Sequence, residues 1–400
     1  MEKPVAVLEI SSSSIKLVVG YELNGQPYVL YSLVKPFNLI VDSGTFIDPV
    51  LIKESIASMS NILDDSARVK INISEAIVIL PPYGLEVFHT QQVTTVVGED
   101  NKVSPLDIRN IFAIIRKGKI PVANGLIDII PEKYTLDEGV SYQTPPIGLK
   151  SQTLAIRAMV HTLPTHISAN YQDIVREAGV NVKRTFIAPF AASELLGTYD
   201  EVPSEYLLVD IGSHVTTVSF VGGKQLYSSR FFKWGGHNIT SKIGETFNIS
   251  EIEAEKIKVM YGLDKRKMNY QIPICKTDDG TGRETKHTVE ELSAIVKSEL
   301  DIFTSQLNST INNLLSSYES SAKTIPMFLV GGGSLLNGLA EYLEPKVQSD
   351  YVKVVNVKTL GARNPSLINC LGAVVANSKY QTVFDDMHPR VGQVSRNPKE

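Results

Sequence analysis

Residues 5–19, VAVLEISSSSIKLVV, contain an apolar strand that ends in an acid, a turn of four serines and a second apolar strand. Far along the chain, residues 206–220 repeat this pattern as YLLVDIGSHVTTVSF, with Asp210 in the place of Glu9. A third segment, Gly331-Gly332-Gly333, follows an apolar run that ends at Val330. Two similar hairpins and a glycine loop predict a duplicated α/β fold in which the hairpin tips face each other across a cleft.

The residue types at these turns suit a phosphate ligand. Small residues leave the backbone N–H groups of a turn open to phosphate, and a carboxylate beside the turn can hold a water molecule or a metal ion. The glycine triplet lets a third piece of backbone approach a ligand closely. Each motif alone is more often an ordinary hairpin or loop, but the three together favour a binding cleft.

Two further segments have both a functional and a structural interpretation. Gly235-Gly236 precedes a predicted helix at 241–247, and glycines there free a helix N-terminus to face an anion. Glu255 and Lys258 lie on one face of a predicted helix that starts after Ser250. They form either an ordinary solvated charge face or a grip on ribose hydroxyls or a purine edge.

Length and composition exclude several classes of protein. The chain has 400 residues, 43% of them apolar, and a net charge of −4, which predicts a globular protein of two or more lobes without a nucleic-acid partner. Cys275 and Cys370 are expected to be structural thiols in a reducing cytoplasm. No apolar stretch is long enough to cross a bilayer. The absence of Walker A, Rossmann and nucleophile-elbow motifs leaves dinucleotide binding and nucleophilic catalysis without support.

Changes of composition along the chain predict its division into domains. The expected parts are a first lobe core (1–82 and 163–200), an α+β module inserted into it (83–162), a second lobe core (201–240 and 321–380), a helical subdomain of the second lobe (241–320) and a disordered tail (381–400). Within the inserted module, Ser104-Pro105 marks the start of a helix.

The order of two acid turns and a glycine loop resembles that of the actin and sugar-kinase superfamily. Within it, the chain resembles FtsA, the bacterial cell-division protein, over nearly its whole length. The segments that carry the resemblance are Leu8-Glu9-Ile10 at the first phosphate loop, LIDIIPEKY (126–134) and PIGL (146–149) in the inserted module, AEKIK (254–258) and Gly331-Gly332-Gly333 at the adenosine site, and NCLGA (369–373) in the last connecting helix. An insertion at this place distinguishes FtsA from actin and MreB.

The resemblance implies a two-lobed actin-like ATPase fold of duplicated ribonuclease-H-like domains, with ATP and Mg²⁺ between the lobes. Glu9 and Asp210 are implied as catalytic carboxylates that handle Mg²⁺ and the attacking water. The residues implied to hold the phosphates and the adenosine are Ser11, Ser12, Ser13, Ser14, Gly212, Ser213, His214, Val215, Thr216, Gly235, Gly236, Glu255, Lys258, Gly331, Gly332 and Gly333.

The resemblance also implies partners and a location. A protein of this family forms filaments and ties the FtsZ ring to the inner face of the cell membrane at the division site. The C-terminal tail of FtsZ would dock on the helical subdomain, while the inserted module would contact neighbouring subunits and later division proteins.

Three features depart from the family pattern. Ser11 stands where glycine is usual and Ser213-His214 where Gly-Gly is usual, which either crowds the approach of phosphate or lets His214 contact it. Ala188 stands where several relatives have a polar residue that orients water, so we expect feeble hydrolysis. The tail at 381–400 cannot form a convincing apolar face, so membrane contact is expected to be indirect or to need a further helix.

Three alternatives remain open at this point. A PilM-type adaptor of pilus assembly shares the insertion but serves a secretion machine. A sugar or acid kinase shares the fold but needs a catalytic aspartate that faces a substrate pocket, and residues 83–162 offer no such feature. A protein without any bound nucleotide is the third, because of Ser213-His214.

Overall fold

Two five-stranded sheets of the same topology form the framework of the molecule, which a computed structural model describes at residues 3–64, 69–118, 120–263, 273–278, 284–316, 318 and 325–381. The first elements are β1 (Val5–Ile10), β2 (Ser14–Leu23), β3 (Gln26–Pro36), β4 (Val41–Asp42), β5 (Thr45–Phe46), α1 (Pro49–Ser60), β6 (Asn61–Asp64), β7 (Val69–Asn72) and β8 (Glu75–Leu80). β1, β2 and β3 pair antiparallel, and β8 lies parallel to β1. The wholly apolar part of β8 is buried, as expected for a strand covered on both faces.

A separate four-stranded sheet follows in the chain. Its elements are β9 (Glu86–Thr95), α2 (Pro105–Arg116), β10 (Asn124–Leu136), β11 (Ser141–Tyr142) and β12 (Thr153–Pro164), and the strand order is β11-β10-β12-β9. Helix α2 starts where Ser104-Pro105 predicted it, and the Ser104 N–H donates to Asp107 Oδ2 at 2.8 Å. Its apolar stripe, which includes Ile108 and Phe112, is buried.

The chain then completes the first five-stranded sheet. The elements are α3 (Thr165–Glu177), β13 (Asn181–Ile187) and α4 (Ala188–Leu196). β13 pairs in parallel with β8, so the order is β13-β8-β1-β2-β3.

The second half of the chain repeats this topology. Its elements are β14 (Tyr206–Ile211), β15 (Thr216–Gly222), β16 (Gln225–Phe232), α5 (Gly236–Phe247), α6 (Glu251–Tyr261), β17 (Pro273–Asp278), β18 (Glu284–Thr288), α7 (Val289–Leu315), β19 (Met327–Val330), α8 (Leu339–Leu343), β20 (Val352–Val354) and α9 (Ile368–Lys379). The sheet order is β16-β15-β14-β19-β20, again with three antiparallel strands followed by two parallel ones. The predicted duplicated α/β fold is therefore confirmed.

Helix α9 returns from the second half to pack against α4. A Cβ atom added at Gly372 would lie 1.7 Å from the carbonyl oxygen of Ala191, so only glycine allows the two helices to cross this closely. This crossing places the first turn of α9 beside both hairpins, with Asn369 within hydrogen-bond distance of Glu9 and Asp210.

Some predicted boundaries differ from the structure. Helix α5 begins at Gly236, earlier than the predicted start at Ser241. Of the predicted tail at 381–400, only Gln381 lies inside the described residues. None of the helices that the structure describes combines the length and the apolar character needed to span a bilayer.

Candidate functional site

A cavity of about 990 Å³ lies between the two five-stranded sheets, and both hairpin turns open onto it. The residues predicted for this site that line the cavity are Glu9, Ser11, Ser12, Ser13, Ser14, Asp210, Gly212, Ser213, Val215, Gly236, Glu255, Lys258, Gly331, Gly332 and Gly333. The structure thus brings the two acid turns and the glycine loop together. A cavity of this volume can hold a ligand of nucleotide size.

The first turn is closed on itself and anchored from outside. The Ser11 N–H donates to Ser14 O at 2.9 Å, and the carbonyl oxygens of Ser12 and Ser13 accept hydrogen bonds from the backbone of the loop after β3, each at 2.8 Å. Among the described residues, nothing pairs with the backbone N–H groups of Ser12 and Ser13. These two donors suit an anion, as predicted for this turn.

The second turn has the same closure but a different anchor. The Gly212 N–H donates to Val215 O at 3.0 Å. The carbonyl oxygens of Gly212 and Ser213 accept from Gly236 and His237, at 3.0 and 2.8 Å, so the N-terminus of α5 lies directly against the turn. That N-terminus adds a partial positive charge beside the cavity.

Glycines make this approach sterically feasible. A Cβ atom at Gly235 would lie 2.3 Å from Ser213 O, so Gly235 touches the turn and does not line the cavity. A Cβ at Gly331, where φ is +82°, would lie 2.3 Å from Asp210 Oδ1, and one at Gly333 would lie 2.4 Å from the Ile211 side chain. Gly332 differs, since a Cβ there would meet nothing within 4 Å.

The floor of the cavity is a buried network around Glu9. Its Oε2 lies 3.2 Å from Lys16 Nζ and also accepts from the Cys370 thiol at 3.7 Å, while its Oε1 accepts from Asn369 Nδ2 at 3.0 Å. The same Nδ2 is 3.3 Å from Asp210 Oδ2. One amide nitrogen therefore joins the acids of the two lobes at the floor of the cavity.

The burial of this network changes its acid–base behaviour. Burial alone would lower the pKa of Lys16, but attraction to the carboxylates of Glu9 and Asp210 outweighs it and raises that pKa. Burial raises the pKa of Asp210, against the opposing effects of Lys16 and of the Asn369 hydrogen bond. Burial also raises the pKa of the Cys370 thiol well above its usual value, so this group donates as a thiol.

Contacts within the protein use most of the acceptor capacity of Glu9, one of the two acids predicted to hold a divalent cation. Both oxygens of Glu9 accept from protein donors, and Asp210 Oδ2 shares one of those donors. A Mg²⁺ ion needs free oxygen lone pairs directed at it. The described part of the chain contains no cluster of three or more His, Cys, Asp or Glu side chains suited to a metal.

Lys258 lines the cavity, and its ammonium is bonded to neighbouring groups of the protein. Its ammonium donates to Gly236 O at 3.0 Å, Thr240 Oγ1 at 2.8 Å and Glu255 Oε2 at 2.6 Å, which uses all three of its N–H groups. Lys258 therefore holds α5 to α6, and its contact with the nucleoside stays a prediction. Glu255, with half of its side chain exposed, remains accessible from the cavity.

Two other predicted phosphate contacts lie outside the cavity lining. Thr216 is fully buried, and its hydroxyl donates to Trp234 O at 2.8 Å. The ring of His214 packs on that of His237 with centroids 4.4 Å apart, and it is His237 that lines the cavity. Burial and the neighbouring His237 lower the pKa of His214 to about 4, so His214 is neutral at pH 7.

Sequence reasoning missed Lys16, Asn369 and His237 as residues of this site. The sequence does indicate Lys16, because a hairpin closed between Ser11 and Ser14 must pair Glu9 with Lys16 across its strands. It does not indicate Asn369, because long-range packing of α9 brings this residue to the acids.

The two lobes also touch beside the cavity. Lys233, which follows β16, lies 2.9 Å from Asp42 of β4, and hydrogen bonds from Lys233 and Ser43 lower the pKa of Asp42. The ring of Tyr83 packs edge-on against Phe231 with centroids 4.9 Å apart. Burial raises the pKa of Tyr83 to about 12, so its phenol stays protonated.

Known proteins resemble this chain in sequence. A family model described as "Cell division protein FtsA" matches residues 207–372. A protein of that name from Enterococcus faecalis is 24% identical over 386 residues, which cover 94% of this chain and 84% of the relative. The corresponding proteins of Streptococcus pneumoniae and Bacillus subtilis are 25% and 24% identical, over 91% and 92% of this chain and 78% and 82% of their own.

Solved structures resemble the fold. The chain matches "PilM-PilN type IV pilus biogenesis complex" with a TM-score of 0.61 and 18% identity, over 96% of this chain and 99% of that one. It matches MreB 5 of Spiroplasma citri bound to AMPPNP with a TM-score of 0.57 and 12% identity, over 96% and 99%. At these identities the structural matches show the actin-like fold alone. Together with the sequence matches, they confirm the resemblance to FtsA on a two-lobed actin-like fold that the motifs predicted.

Proposed function

We propose that this chain is a bacterial cell-division protein of the FtsA type, which binds ATP between its lobes and forms filaments that link the FtsZ ring to the membrane. The observation that carries the proposal is the cavity on which both acid turns and the glycine loop converge. Similarity to FtsA proteins over more than nine-tenths of the chain supports the role in division.

The cavity offers separate places for the phosphates and the nucleoside of ATP. The phosphates face the free N–H groups of Ser12 and Ser13 and the N-terminus of α5. The nucleoside lies between Glu255 of α6 and Gly332, where the absence of a side chain leaves room. Bound ATP supplies a polyanion that contacts both lobes and so favours one arrangement of them for assembly.

Hydrolysis is proposed to be weak. Ala188, at the start of α4, lines the cavity and has no polar group with which to orient water. ATP then acts mainly as an assembly ligand.

Partners are proposed on two surfaces. The helical subdomain is proposed to receive the C-terminal tail of FtsZ, and outside the cavity lining it exposes Met260 of α6 and Ile302 of α7, at 56% and 49%. The inserted module exposes Val93 and Val97, at 55% and 59%, where a neighbouring subunit or a later division protein can pack. The protein would work at the inner face of the cell membrane at the division site.

The ATP site is tested by filling the cavity from Gly332. Because a side chain there has open space in the protein, Gly332→Phe should fold normally and weaken ATP binding at least about tenfold in calorimetry, while Gly332→Ala should bind nearly as well as the wild type. Equal affinity in the Phe variant would place any ATP elsewhere.

A PilM-type role is the second candidate, since the structural match to the PilM–PilN complex favours it. Capture of this chain by an immobilised FtsZ tail peptide supports the division role, and capture by a pilus-component peptide instead supports the second. Electron microscopy on a lipid monolayer with ATP, with and without the FtsZ tail, tests filament formation. Coupled assays of ATP turnover with small sugars and acids test the kinase alternative.

A further inference from the structure

The charges at the floor of the cleft are already balanced in part by the chain itself. Glu9 is 6% exposed and Lys16 8% exposed, and their charged atoms are 3.2 Å apart. Asn369, 3% exposed, donates to both acids from one nitrogen. These groups lie where two carboxylates would otherwise face each other without a cation.

We propose that Lys16 and Asn369 take the place of a divalent cation at this pair of acids, so that nucleotide binding by this chain does not require Mg²⁺. The inference rests on the proposed ATP site and adds its ion requirement.

Lys16 can serve both the acid and the nucleotide. Its ammonium has three N–H donors, and within the described residues Glu9 is its one hydrogen-bonding and ion-pair partner. Lys16 also lines the cavity, so its other donors are available to a phosphate oxygen. A fixed ammonium at this place supplies the positive charge that a metal ion commonly supplies to phosphates.

Asn369 can adopt only one useful orientation. If its amide were turned around, Oδ1 would face two carboxylate oxygens, which are acceptors only, so the amide nitrogen must face the acids. A metal ion that bridged Glu9 Oε1 and Asp210 Oδ2 would have to displace this amide, which already occupies the place between the two oxygens.

The remaining charge does not demand a metal ion. Glu9 and Lys16 neutralise each other, and burial disposes Asp210 to take up a proton beside a polyanion. The phosphates then face backbone N–H groups of two turns and the N-terminus of α5, donors that bind phosphate without a metal.

The test is calorimetric titration of the whole chain with ATP, in excess Mg²⁺ and in EDTA. We expect the two dissociation constants to agree within about threefold. A dissociation constant more than about tenfold weaker in EDTA overturns the inference and leaves the ATP site standing. No binding in either buffer refutes the ATP site itself, and the inference with it.

The same two titrations on three variants test the roles given to Lys16 and Asn369. Lys16→Met removes the ammonium and Asn369→Asp adds a third carboxylate, so each should make ATP binding at least about tenfold tighter with Mg²⁺ than without. Lys256→Met, which removes another lysine of the cavity lining, should show no such dependence. Mg²⁺-independent binding in all three variants would refute the role given to Lys16 and Asn369. If a variant does not fold, the two titrations of the wild type decide alone.

Discussion

The two acid turns close with the same backbone hydrogen bond but have different neighbours. Each closes with one N–H to carbonyl bond across four residues and lies at the same place in a sheet of the same topology. Opposite Glu9 in the hairpin stands Lys16, whereas opposite Asp210 stands Thr217. The first turn is held by an extended loop and the second by the start of α5.

Because of this difference, we expect Glu9 and Asp210 to have different roles, although two equivalent acids would share them. The first acid is committed to an internal ion pair and works as part of the framework. The second acid has no cation opposite it and is surrounded by glycines that bring other backbone close. A repeated motif in a sequence therefore predicts a repeated shape, but the residue across the strand decides what each copy does.

The largest expected effect contrasts the two acids. Glu9→Gln leaves the buried Lys16 ammonium without its charged partner and should lower the free energy of unfolding by about 3–5 kcal/mol. Asp210→Asn, which relieves a carboxylate whose pKa burial has raised, should change it by less than about 1 kcal/mol. Chemical denaturation of both variants measures the contrast, and equal losses would show that the acids are equivalent after all.

The second prediction contrasts two neighbouring glycines in the loop after β19, which lies against Asp210. Gly331→Ala forces a Cβ to 2.5 Å from Ile211 O at a φ of +82°, so it should cost about 2–4 kcal/mol of unfolding free energy. Gly332→Ala, with nothing within 4 Å, should cost less than about 0.5 kcal/mol. Denaturation curves decide this too, and a tolerant Gly331 would mean that the loop does not press on Asp210.

The smallest effect concerns His214, which occupies the place of Ser13 in the first turn. Its pKa is lowered to about 4 in the folded state, so the unfolded chain takes up a proton first as the pH falls below about 6.5. The wild type should therefore lose stability between pH 6.5 and 4, by about 1–2 kcal/mol after allowance for solvent screening of the partly buried ring.

His214→Ser, which copies the first turn, should remove this contribution. Unfolding free energies measured at several pH values for both proteins provide the comparison. Parallel pH profiles would show that His214 titrates normally in the folded protein.

The parts of the molecule that sequence predicted are those with local causes. Apolar strands around a small-residue turn, the cap at Ser104 and the apolar run 76–80 of β8 each follow from neighbouring residues, and the duplicated fold follows from their order. The site was predicted as a set of turns, but not its internal chemistry. Asn369 reaches the acids through the crossing of α9 and α4 at Gly372, and Lys258 is occupied by partners from another helix.

Contacts between the lobes beside the cavity bear on how fast a ligand enters. The Asp42–Lys233 pair is more than half exposed on both sides, so it contributes at most about 1 kcal/mol and weakens as salt rises. Breaking this ion pair therefore costs little free energy. Higher ionic strength is therefore expected to loosen this contact between the lobes and to speed ligand entry, while the packing of Tyr83 against Phe231 remains.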